Sequence, residues 1–292
     1  MRQKINIIGC GRAAGSLARL WMQGEDYEVG GILNRSLASA EAAAQSIGGG
    51  RTVQSLHEMP AADYWLIGTT DQAIEKVAEA LATSDLELGG CLVFHLAGRF
   101  GLDVLQPLSA KKAEIAALHP VRSLTHAQLS LQDFAGTACV AEGNETALGM
   151  LKPLVEAIGG TWLPVASIDR GLYHAAVAVI SNITKAVAWK AQKWQMRAGL
   201  PEETATAVTY QLLNSTMEDL FRSGARQSIT GPIVRGDTST IAAHVDAVRE
   251  AYPDDLEIYR VLIGTVLDLA LDRGDLDEAT QARFDELLKR PG

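Results

Sequence analysis

The sequence contains few cysteines, and none of them forms a recognisable motif. Cys10, Cys91 and Cys139 are the three cysteines among 292 residues, and wide spacings separate them. Zinc sites, disulfide frameworks and redox-active thiol pairs place cysteines at short, characteristic spacings. We therefore expect no metal site, and we interpret the three cysteines as small core residues.

Long apolar segments and a basic amino-terminal leader are also absent. The residues after Met1 run directly into a short strand pattern, which predicts no signal peptide. The most apolar later stretch, residues 175–188, contains Asn182 and Lys185 and is too short and too polar to span a bilayer. A cytoplasmic protein is therefore the expectation.

The sequence also lacks an excess of positive charge. Lys and Arg number 26 against 35 Asp and Glu, which gives a formal net charge of −9. That balance repels nucleic-acid phosphates and anionic lipid surfaces. We expect neither nucleic acid nor a membrane as a partner, and a small-molecule substrate instead.

The first half of the chain alternates short apolar runs with helical patterns. Apolar runs bounded by glycine and separated by helices are typical of parallel strands that are buried on both faces and joined by right-handed crossovers. Strands are predicted at 5–9, 29–33, 64–68, 92–95, 114–118 and 137–141, and helices at 13–22, 37–47, 72–82 and 147–158. The pattern predicts an α/β fold with a doubly wound, Rossmann-type parallel sheet.

After Pro164 the strand-like runs stop and long helical patterns follow. Helices are predicted at 167–198, 202–223, 238–251, 256–272 and 277–289. The chain is therefore predicted to divide into a Rossmann-type domain, residues 1–165, and an all-helical domain, residues 166–292. Residues 204–220 carry apolar side chains on more than one helix face, which predicts a homodimer formed through the helical domain.

The segment from Gly9 to Gly15 follows the first predicted strand and opens the first predicted helix. It matches the pattern Gly-x-Gly-x-x-Gly/Ala, with Ala14 in the last position. The first glycine permits a tight turn, the second lets a pyrophosphate approach the backbone, and the small third residue lets helix and strand pack closely. The residues predicted to bind a dinucleotide here are Gly9, Cys10, Gly11, Arg12, Ala13 and Ala14.

The residues at the end of the second predicted strand indicate which of the two nicotinamide cofactors binds. NAD sites usually carry Asp or Glu at this position, where the carboxylate accepts hydrogen bonds from the ribose hydroxyls. This chain has Asn34, Arg35 and Ser36 instead. A guanidinium and a hydroxyl favour an adenosine 2′-phosphate, so NADP(H) is the predicted cofactor. The alternative is that Arg35 is an ordinary solvated surface charge.

A further polar segment, Gly68, Thr69, Thr70 and Asp71, lies at the carboxyl end of the strand predicted at 64–68. Ligands bind at this edge in open α/β sheets, so the segment is predicted to line the cofactor groove. For Asp71 the preferred interpretation is a cap on the helix that follows, and contact with the cofactor is the alternative.

Several segments carry a family resemblance. They are Gly9-Cys-Gly-Arg, His95-Leu-Ala-Gly98, His119-Pro120, Tyr173-His174-Ala-Ala176 with Asn182, and Thr230-Gly-Pro-Ile-Val-Arg-Gly-Asp237 with His244. Together they resemble bacterial proteins that pair a Rossmann-like domain with a DUF2520 domain. The resemblance implies an NADP oxidoreductase similar in architecture to pyrroline-5-carboxylate reductase, ketopantoate reductase and 6-phosphogluconate dehydrogenase. The chain departs from the family pattern at Ala14, where glycine is common, and at Leu96-Ala97, where Cys or Thr and then Ser are common.

Two histidines end neighbouring predicted strands. His95 closes the strand at 92–95, and His119 precedes Pro120 with Arg122 close behind. Titratable groups at the carboxyl edge of a sheet are placed to face a nicotinamide. His95 is therefore a candidate proton donor and His119 a candidate substrate ligand, and a structural role is the alternative for each.

The first helix of the second domain carries a polar stripe on an otherwise apolar surface. At about 100° per residue, His174, Ser181 and Lys185 fall within about 20° of one line, with Asn182 about 80° away. In related β-hydroxyacid dehydrogenases, Lys and Asn of the equivalent helix bind and protonate the substrate oxygen. This chain lacks their Lys-x-x-x-Asn spacing, because Ala178 occupies the lysine position. His174, Lys185 and Asn182 are candidate catalytic residues, and a structural polar contact between the domains is the alternative.

The segment from Thr230 to Thr238 is dense in turn residues and precedes a helix that Asp237 or Thr238 is expected to cap. Turn chemistry explains its glycines but does not explain Arg235, which is suited to clamp a carboxylate. Arg235 and Asp237 are therefore candidate substrate ligands, and an ion pair between the two is the alternative.

The sequence thus predicts an NADP(H)-dependent oxidoreductase that transfers hydride to or from a small oxo- or imino-acid in the cleft between the domains. A 2-keto acid such as ketopantoate is the first candidate substrate, on architectural analogy alone. The competing hypothesis is a protein that binds NADP(H) as a sensor or regulator without turnover, which the missing Lys-x-x-x-Asn spacing keeps open.

Overall fold

The structure, a computed structural model, describes residues 2–124 and 129–289. It divides into two compact units, residues 1–181 and 182–292. The first unit contains the sheet, and the second is built from helices. The sequence places a domain boundary near residue 165, and the helix that begins at Arg170 lies in the first unit.

An eight-stranded sheet forms the centre of the first unit, in the order β3-β2-β1-β4-β5-β6-β7-β8. The strands are β1 Gln3–Ile8, β2 Tyr27–Leu33, β3 Arg51–Val53, β4 Tyr64–Ile67, β5 Leu92–His95, β6 Glu114–Pro120, β7 Ala138–Gly143 and β8 Thr161–Pro164. Strands β1 to β6 are parallel, β7 is antiparallel to β6, and β8 is parallel to β7.

Helices cover both faces of this sheet. The α-helices of the first unit are α1 Arg12–Trp21, α2 Leu37–Ile47, α3 Ile74–Thr83, α4 Leu131–Phe134, α5 Glu145–Glu156 and α6 Arg170–Ala178, and the longest 3-10 segment is Asp103–Lys111. Successive strand residues point to opposite faces. Leu66 and Phe94 join the core on one face, and Ile67 and Val93 join the core on the other. The apolar strands are therefore buried on both sides, as a doubly wound sheet requires.

The predicted fold class is confirmed, with corrections to the sheet. The sequence pattern misses β3, which has only three residues, and β8, whose four residues are mostly exposed and form no buried apolar run. The strand predicted at 137–141 is not part of the parallel set, since β7 runs antiparallel to β6. The described part of the β6–β7 connection contains only the four-residue helix α4, whereas a parallel pair needs a crossover that is usually a full helix.

The second unit is a set of helices around a small core. Its helices are α7 Thr184–Arg197, α8 Glu202–Ser228, α9 Thr238–Ala251, α10 Leu256–Arg273 and α11 Glu278–Leu288. Ile241, Leu267 and Phe284 are among its fully buried side chains. The long helix α8 is kinked at Gly224, where φ is +77°. Over residues 2–124 and 129–289, no helix combines the length and the apolar content that crossing a membrane requires.

The single long helix predicted at 167–198 is wrong. The chain forms α6, then a π-helical turn at Val179–Ile183, and then α7. A spacing of about 100° per residue holds for a regular α-helix and fails through a π turn. The predicted alignment of His174, Ser181 and Lys185 therefore loses its geometric basis.

Candidate functional site

The loop between β1 and α1 turns sharply at Gly9, as the sequence predicts. Gly9 has a φ of +84°, which glycine adopts without steric cost. A Cβ atom at this position would lie 2.5 Å from the Cγ2 atom of Thr69 and 2.6 Å from its backbone nitrogen. The backbone conformation and the close approach of Thr69 both require glycine here.

A second close approach joins the start of α1 to the end of β4. Ala14 is fully buried, and a Cβ atom at Gly68 would lie only 2.4 Å from the Cβ atom of Ala14. Small residues at both positions let the helix pack against the strand, which is the role that the motif predicts for Ala14.

The amino-terminal end of α1 is suited to bind an anion. Its N-cap residue is Gly11, which offers no side-chain acceptor, and its first turn contains no acidic residue. The free N–H groups and the helix dipole favour a phosphate at such an end. The Thr69 hydroxyl, against Gly9, is buried without a hydrogen-bond partner among the described residues. The residues present therefore fit the pyrophosphate of a dinucleotide.

The predicted adenosine site after β2 contains two side chains with local partners. The side-chain oxygen of Asn34 accepts from the Cys10 N–H at 2.6 Å, and its amide group donates to the Ser39 carbonyl oxygen at 3.0 Å. The Ser36 hydroxyl oxygen caps α2 by accepting from the Ser39 N–H at 3.3 Å. Arg35 is exposed. Asn34 thus anchors the glycine loop, and Arg35 presents its guanidinium to solvent.

Asp71 is not the helix cap that the sequence predicts. The N-cap of the 3-10 turn at this point is Thr70, and the N-cap of α3 is Ala73. The negative charge of Asp71 instead acts to raise the pKa of His95 and of His119, against larger opposing effects of burial. Its carboxylate therefore lies within electrostatic reach of both histidines, at the carboxyl end of β4.

Strand register collects polar residues on one face of the sheet. His95 pairs with Ala117 across β5 and β6, and Ala117 pairs with Glu142 across β6 and β7. Directly paired residues point to the same face, and so do residues two apart on one strand. His95, Glu142 and His119 therefore share one face, next to the small Ala117.

His95 is held by backbone groups, which favours the structural alternative to its predicted role as a proton donor. The Ala97 N–H donates to its Nδ1 atom at 3.2 Å, so the ring proton is on Nε2, which donates to the Gly101 carbonyl oxygen at 2.9 Å. The side chain is fully buried, and burial lowers the pKa of this imidazole. Both ring nitrogens thus fix the loop from Ala97 to Gly101.

His119 and Tyr173 form a hydrogen-bonded pair. The His119 Nδ1 atom lies 2.8 Å from the Tyr173 hydroxyl oxygen, and the two rings meet edge to face. Burial, followed by the charges of His174 and Arg170, lowers the pKa of His119 to about 4. Burial also raises the pKa of Tyr173, with Arg170 acting in the opposite direction. At pH 7 the imidazole is therefore neutral and the phenol keeps its proton.

His174 packs against the same cluster beside Gly98. A Cβ atom at Gly98 would lie 2.8 Å from the His174 Cδ2 atom and 2.9 Å from the His119 Nε2 atom. The centroids of the two imidazole rings are 6.1 Å apart, and His174 is exposed. Two predicted site residues, His119 and His174, are thus brought together, and the missing side chain of Gly98 makes room for them.

A buried ion pair that the sequence analysis missed supports this cluster. The Nε and Nη2 atoms of Arg170 donate to one Glu142 oxygen at 2.9 and 2.6 Å, and both side chains are buried. The guanidinium carbon also lies 6.0 Å from the centroid of the Tyr173 ring. The sequence does contain one signal for this ion pair. Glu142 lies inside the apolar run of β7, and a buried carboxylate requires a partner.

The predicted site residues of the second unit lie at its surface. Asn182, Lys185 and Arg235 are exposed. Asp237 caps α9, since its oxygens accept from the Thr240 N–H at 3.0 Å and the Thr240 hydroxyl at 2.6 Å. These hydrogen bonds lower the pKa of Asp237 to about 2, with a smaller contribution from the charge of Arg235. The cap explains Asp237 without a substrate.

The sheet order and the glycine loop define a Rossmann-type protein. A model of the Rossmann-like domain matches residues 1–120, and a model of the domain of unknown function DUF2520 matches residues 137–265. The chain therefore combines a Rossmann-like domain with a DUF2520 domain. Among curated proteins, none matches the sequence.

Several solved structures share this fold. Protein TM1727 from Thermotoga maritima is 22% identical with a TM-score of 0.71, and the match covers 92% of this chain and 98% of that one. A pyrroline-5-carboxylate reductase from Coxiella burnetii is 19% identical with a TM-score of 0.60, covering 99% and 98%. A reductive aminase from Aspergillus terreus, in complex with NADPH and ethyl-5-oxohexanoate, is 15% identical with a TM-score of 0.59, covering 99% and 93%. At these identities the likeness establishes the fold.

Proposed function

We propose that this protein is an NADP(H)-dependent oxidoreductase that transfers hydride to or from a small oxo- or imino-compound. The observation that carries the proposal is that two functional features lie at the same edge of the sheet. The glycine loop follows β1 there, and the His119–Tyr173 pair lies at the end of β6. Ligands of open α/β sheets bind at this edge. A phosphate-binding loop and a pair of proton-carrying side chains are the parts that coupled hydride and proton transfer needs.

The similar structures support the reductase class. One of them is a pyrroline-5-carboxylate reductase, and another is a reductive aminase in complex with NADPH and ethyl-5-oxohexanoate. Both share the fold of this chain over nearly its whole length, so the fold is compatible with the reductase activities that their names give.

The residues of this chain have separable roles in the proposed reaction. When bound, the cofactor supplies or accepts the hydride. The N–H groups at the start of α1 bind its pyrophosphate, and Arg35 binds the 2′-phosphate. His95 fixes the loop that contains Gly98, and this loop packs against His119 and His174. The glycine contact thereby sets where the two histidine rings lie.

Consumption of NADPH with a panel of substrates tests the proposal. The panel contains 2-keto acids, neutral ketones of the same length, aldehydes and cyclic imines, and at least one member is expected to be reduced. Ketopantoate is the first candidate among the keto acids, with Arg235 as the proposed ligand of its carboxylate and Lys185 and Asn182 as further candidate contacts. A preference for keto acids over neutral ketones supports Arg235. Tight binding of NADPH without turnover of any member would favour the sensor hypothesis and contradict the proposal.

The choice of NADP(H) over NAD(H) is tested at Arg35. Arg35→Ala is expected to weaken NADPH binding by about 10- to 100-fold, because a charge-assisted hydrogen bond to the 2′-phosphate is lost, and to leave NADH binding nearly unchanged. Calorimetry measures both affinities. Arg2→Ala is the control, since this arginine is exposed before β1, at the opposite edge of the sheet. Equal affinities of the wild-type protein for NADPH and NADH would contradict the assignment.

We extend the proposal to a homodimer formed through the helical unit. Large apolar side chains are exposed on α8, including Tyr210, Leu212 and Phe221. An exposed apolar helix face of this kind is stabilised by burial against a second copy. Light scattering at micromolar concentration is expected to give the mass of a dimer, and Phe221→Glu is expected to reduce it. A monomer mass for the wild-type protein contradicts the proposal, and Leu37→Glu in the first unit is the control.

A further inference from the structure

We propose that Tyr173 is the proton donor of the reduction, that His119 restores its proton, and that the substrate is a carbonyl compound. This inference rests on the function proposed above and identifies its chemistry more closely. The hydrogen bond of 2.8 Å between the His119 Nδ1 atom and the Tyr173 hydroxyl carries it. The pair lies at the carboxyl end of β6, beside the loop after β5 that Gly98 brings against His119.

The other titratable groups of this cluster are less suited to donate. His95 uses both ring nitrogens on backbone atoms and is fully buried. His119 is neutral at pH 7 and already uses Nδ1 on Tyr173. His174 is exposed and lies beside the Nε2 atom of His119, whereas the hydrogen bond to Tyr173 is made by the other ring nitrogen, Nδ1. The phenol of Tyr173 is a neutral acid that keeps its proton until a stronger base forms next to it.

The proposed step moves one hydride and one proton. As hydride adds to the carbonyl carbon, the π electrons of the C=O bond move to oxygen, the O–H bond of Tyr173 breaks, and its proton forms the new O–H bond of the alcohol. The hydride donor NADPH is oxidised to NADP⁺, and the carbonyl is reduced. The neutral imidazole of His119 then gives the tyrosinate the proton that it carries on Nδ1 while Nε2 takes a proton from water on the side of His174, so that the ring stays neutral throughout.

Neighbouring charges make this transfer feasible. The guanidinium of Arg170 lies 6.0 Å from the Tyr173 ring, and its positive charge stabilises a tyrosinate. Glu142 holds that guanidinium in place from β7 through two hydrogen bonds. From the 3-10 turn after β4, the carboxylate of Asp71 raises the pKa of His119 and so favours a proton on the imidazole, against the larger effect of burial. The ring can therefore pass a proton on without becoming a permanent cation.

A proton donor at this place indicates a carbonyl rather than a protonated imine. Hydride addition to a carbonyl leaves an oxyanion, which must be protonated or stabilised in the transition state. Hydride addition to a protonated imine gives a neutral amine and needs no donor. The phenol is therefore expected to matter for ketones, aldehydes or keto acids, and to matter little for imines that enter already protonated.

Tyr173→Phe tests the proposal against a matched control. Tyr64→Phe removes another tyrosine hydroxyl of the same unit, which is hydrogen-bonded to Gln3 near the start of β4 and away from the site. With NADPH and the most rapidly reduced carbonyl compound of the panel, Tyr173→Phe is expected to lower kcat by about 100-fold or more and to change NADPH affinity less than twofold. Tyr64→Phe is expected to keep kcat within about twofold. A Tyr173→Phe protein that melts like the wild type and keeps its kcat overturns the proposal, and so does a loss confined to NADPH affinity.

A second measurement is independent of turnover. Heteronuclear NMR of the imidazole nitrogens reports the hydrogen bond at His119, whose resonances are identified by their absence in His119→Gln. Tyr173→Phe is expected to shift the Nδ1 resonance of His119, and Tyr64→Phe is expected to leave it in place. Unchanged His119 resonances in Tyr173→Phe overturn the proposal, because they show that the hydrogen bond between His119 and Tyr173 does not form. If the wild-type protein reduces nothing in the panel while the NMR shift is observed, the proposed function fails, the donor role fails with it, and the hydrogen-bonded pair stands as a structural feature.

Discussion

Replacing Glu142 by alanine is expected to lower the free energy of unfolding by about 3–5 kcal/mol, since it leaves a buried guanidinium without its counter-charge. The Arg170 side chain has 7% of its surface exposed, and it donates two hydrogen bonds to Glu142. Its remaining nitrogen, Nη1, is buried without a hydrogen-bond partner within the described part of the chain. Water therefore cannot replace the lost carboxylate without opening the structure.

Glu156→Ala is the matched control for this experiment. Glu156 forms an ion pair of 3.6 Å with Lys152 on α5, and both side chains are about half exposed. An exposed pair at this helical spacing contributes about 0.3–0.5 kcal/mol. Urea unfolding followed by tryptophan fluorescence measures both changes. If Glu142→Ala costs no more than Glu156→Ala, the buried pair does not stabilise the first unit, and the support that it gives to Tyr173 must be abandoned.

Gly9→Ala is expected to cost about 2–4 kcal/mol of stability and to weaken NADPH binding at least about tenfold. Two separate effects contribute. The residue has a φ of +84°, and its new Cβ atom would lie 2.5–2.7 Å from three atoms of Thr69, two of them in the backbone. The loop has to move to relieve this contact, and the N–H groups at the start of α1 move with it.

Gly48→Ala separates the two effects. Gly48 has a φ of +87°, almost the same as Gly9, and a Cβ atom there meets nothing within 4 Å in the described structure. Its substitution therefore measures the strain of a positive φ alone, about 1 kcal/mol. NADPH affinity, measured by calorimetry, is expected to stay unchanged in this variant. Similar losses of stability and affinity in both variants would show that contact with Thr69 does not determine the loop.

The parts of the fold that the sequence predicts correctly are those with a local signal. The strands β1, β2, β4 and β5 each contain a short apolar run next to a glycine or a helix, and the glycine motif has a defined position between strand and helix. The direction of β7 has no such signal, because it depends on which edge of the sheet the chain reaches after β6. A reversed strand and a parallel one have the same apolar composition when both faces are buried.

In the candidate site, too, the sequence predicts the residues that have a local signal but does not predict the contacts between distant residues. His119 and His174 are recognisable as polar residues near strand and helix ends, and the structure brings their rings to 6.1 Å. The pairing of His119 with Tyr173, and of Glu142 with Arg170, joins residues that are 54 and 28 positions apart. Such contacts depend on how α6 packs against β6 and β7, which the sequence does not reveal. The π turn at Val179–Ile183 breaks the regular spacing on which the predicted polar stripe depends.

The antiparallel direction of β7 and β8 determines which way α6 points. The chain leaves β8 at the edge where the parallel strands begin, so Arg170 meets Glu142 beside the middle of β6, and Tyr173, one turn later, meets His119 near its end. Helices α1, α2 and α3 start at the carboxyl edge and run away from it, whereas α6 runs toward it. Residues added to the end of α1 would move behind the sheet, but each further turn of α6 advances over the ligand edge. Lengthening α1 at its end therefore leaves the ligand-binding edge unchanged, whereas lengthening α6 at its end places new residues at that edge.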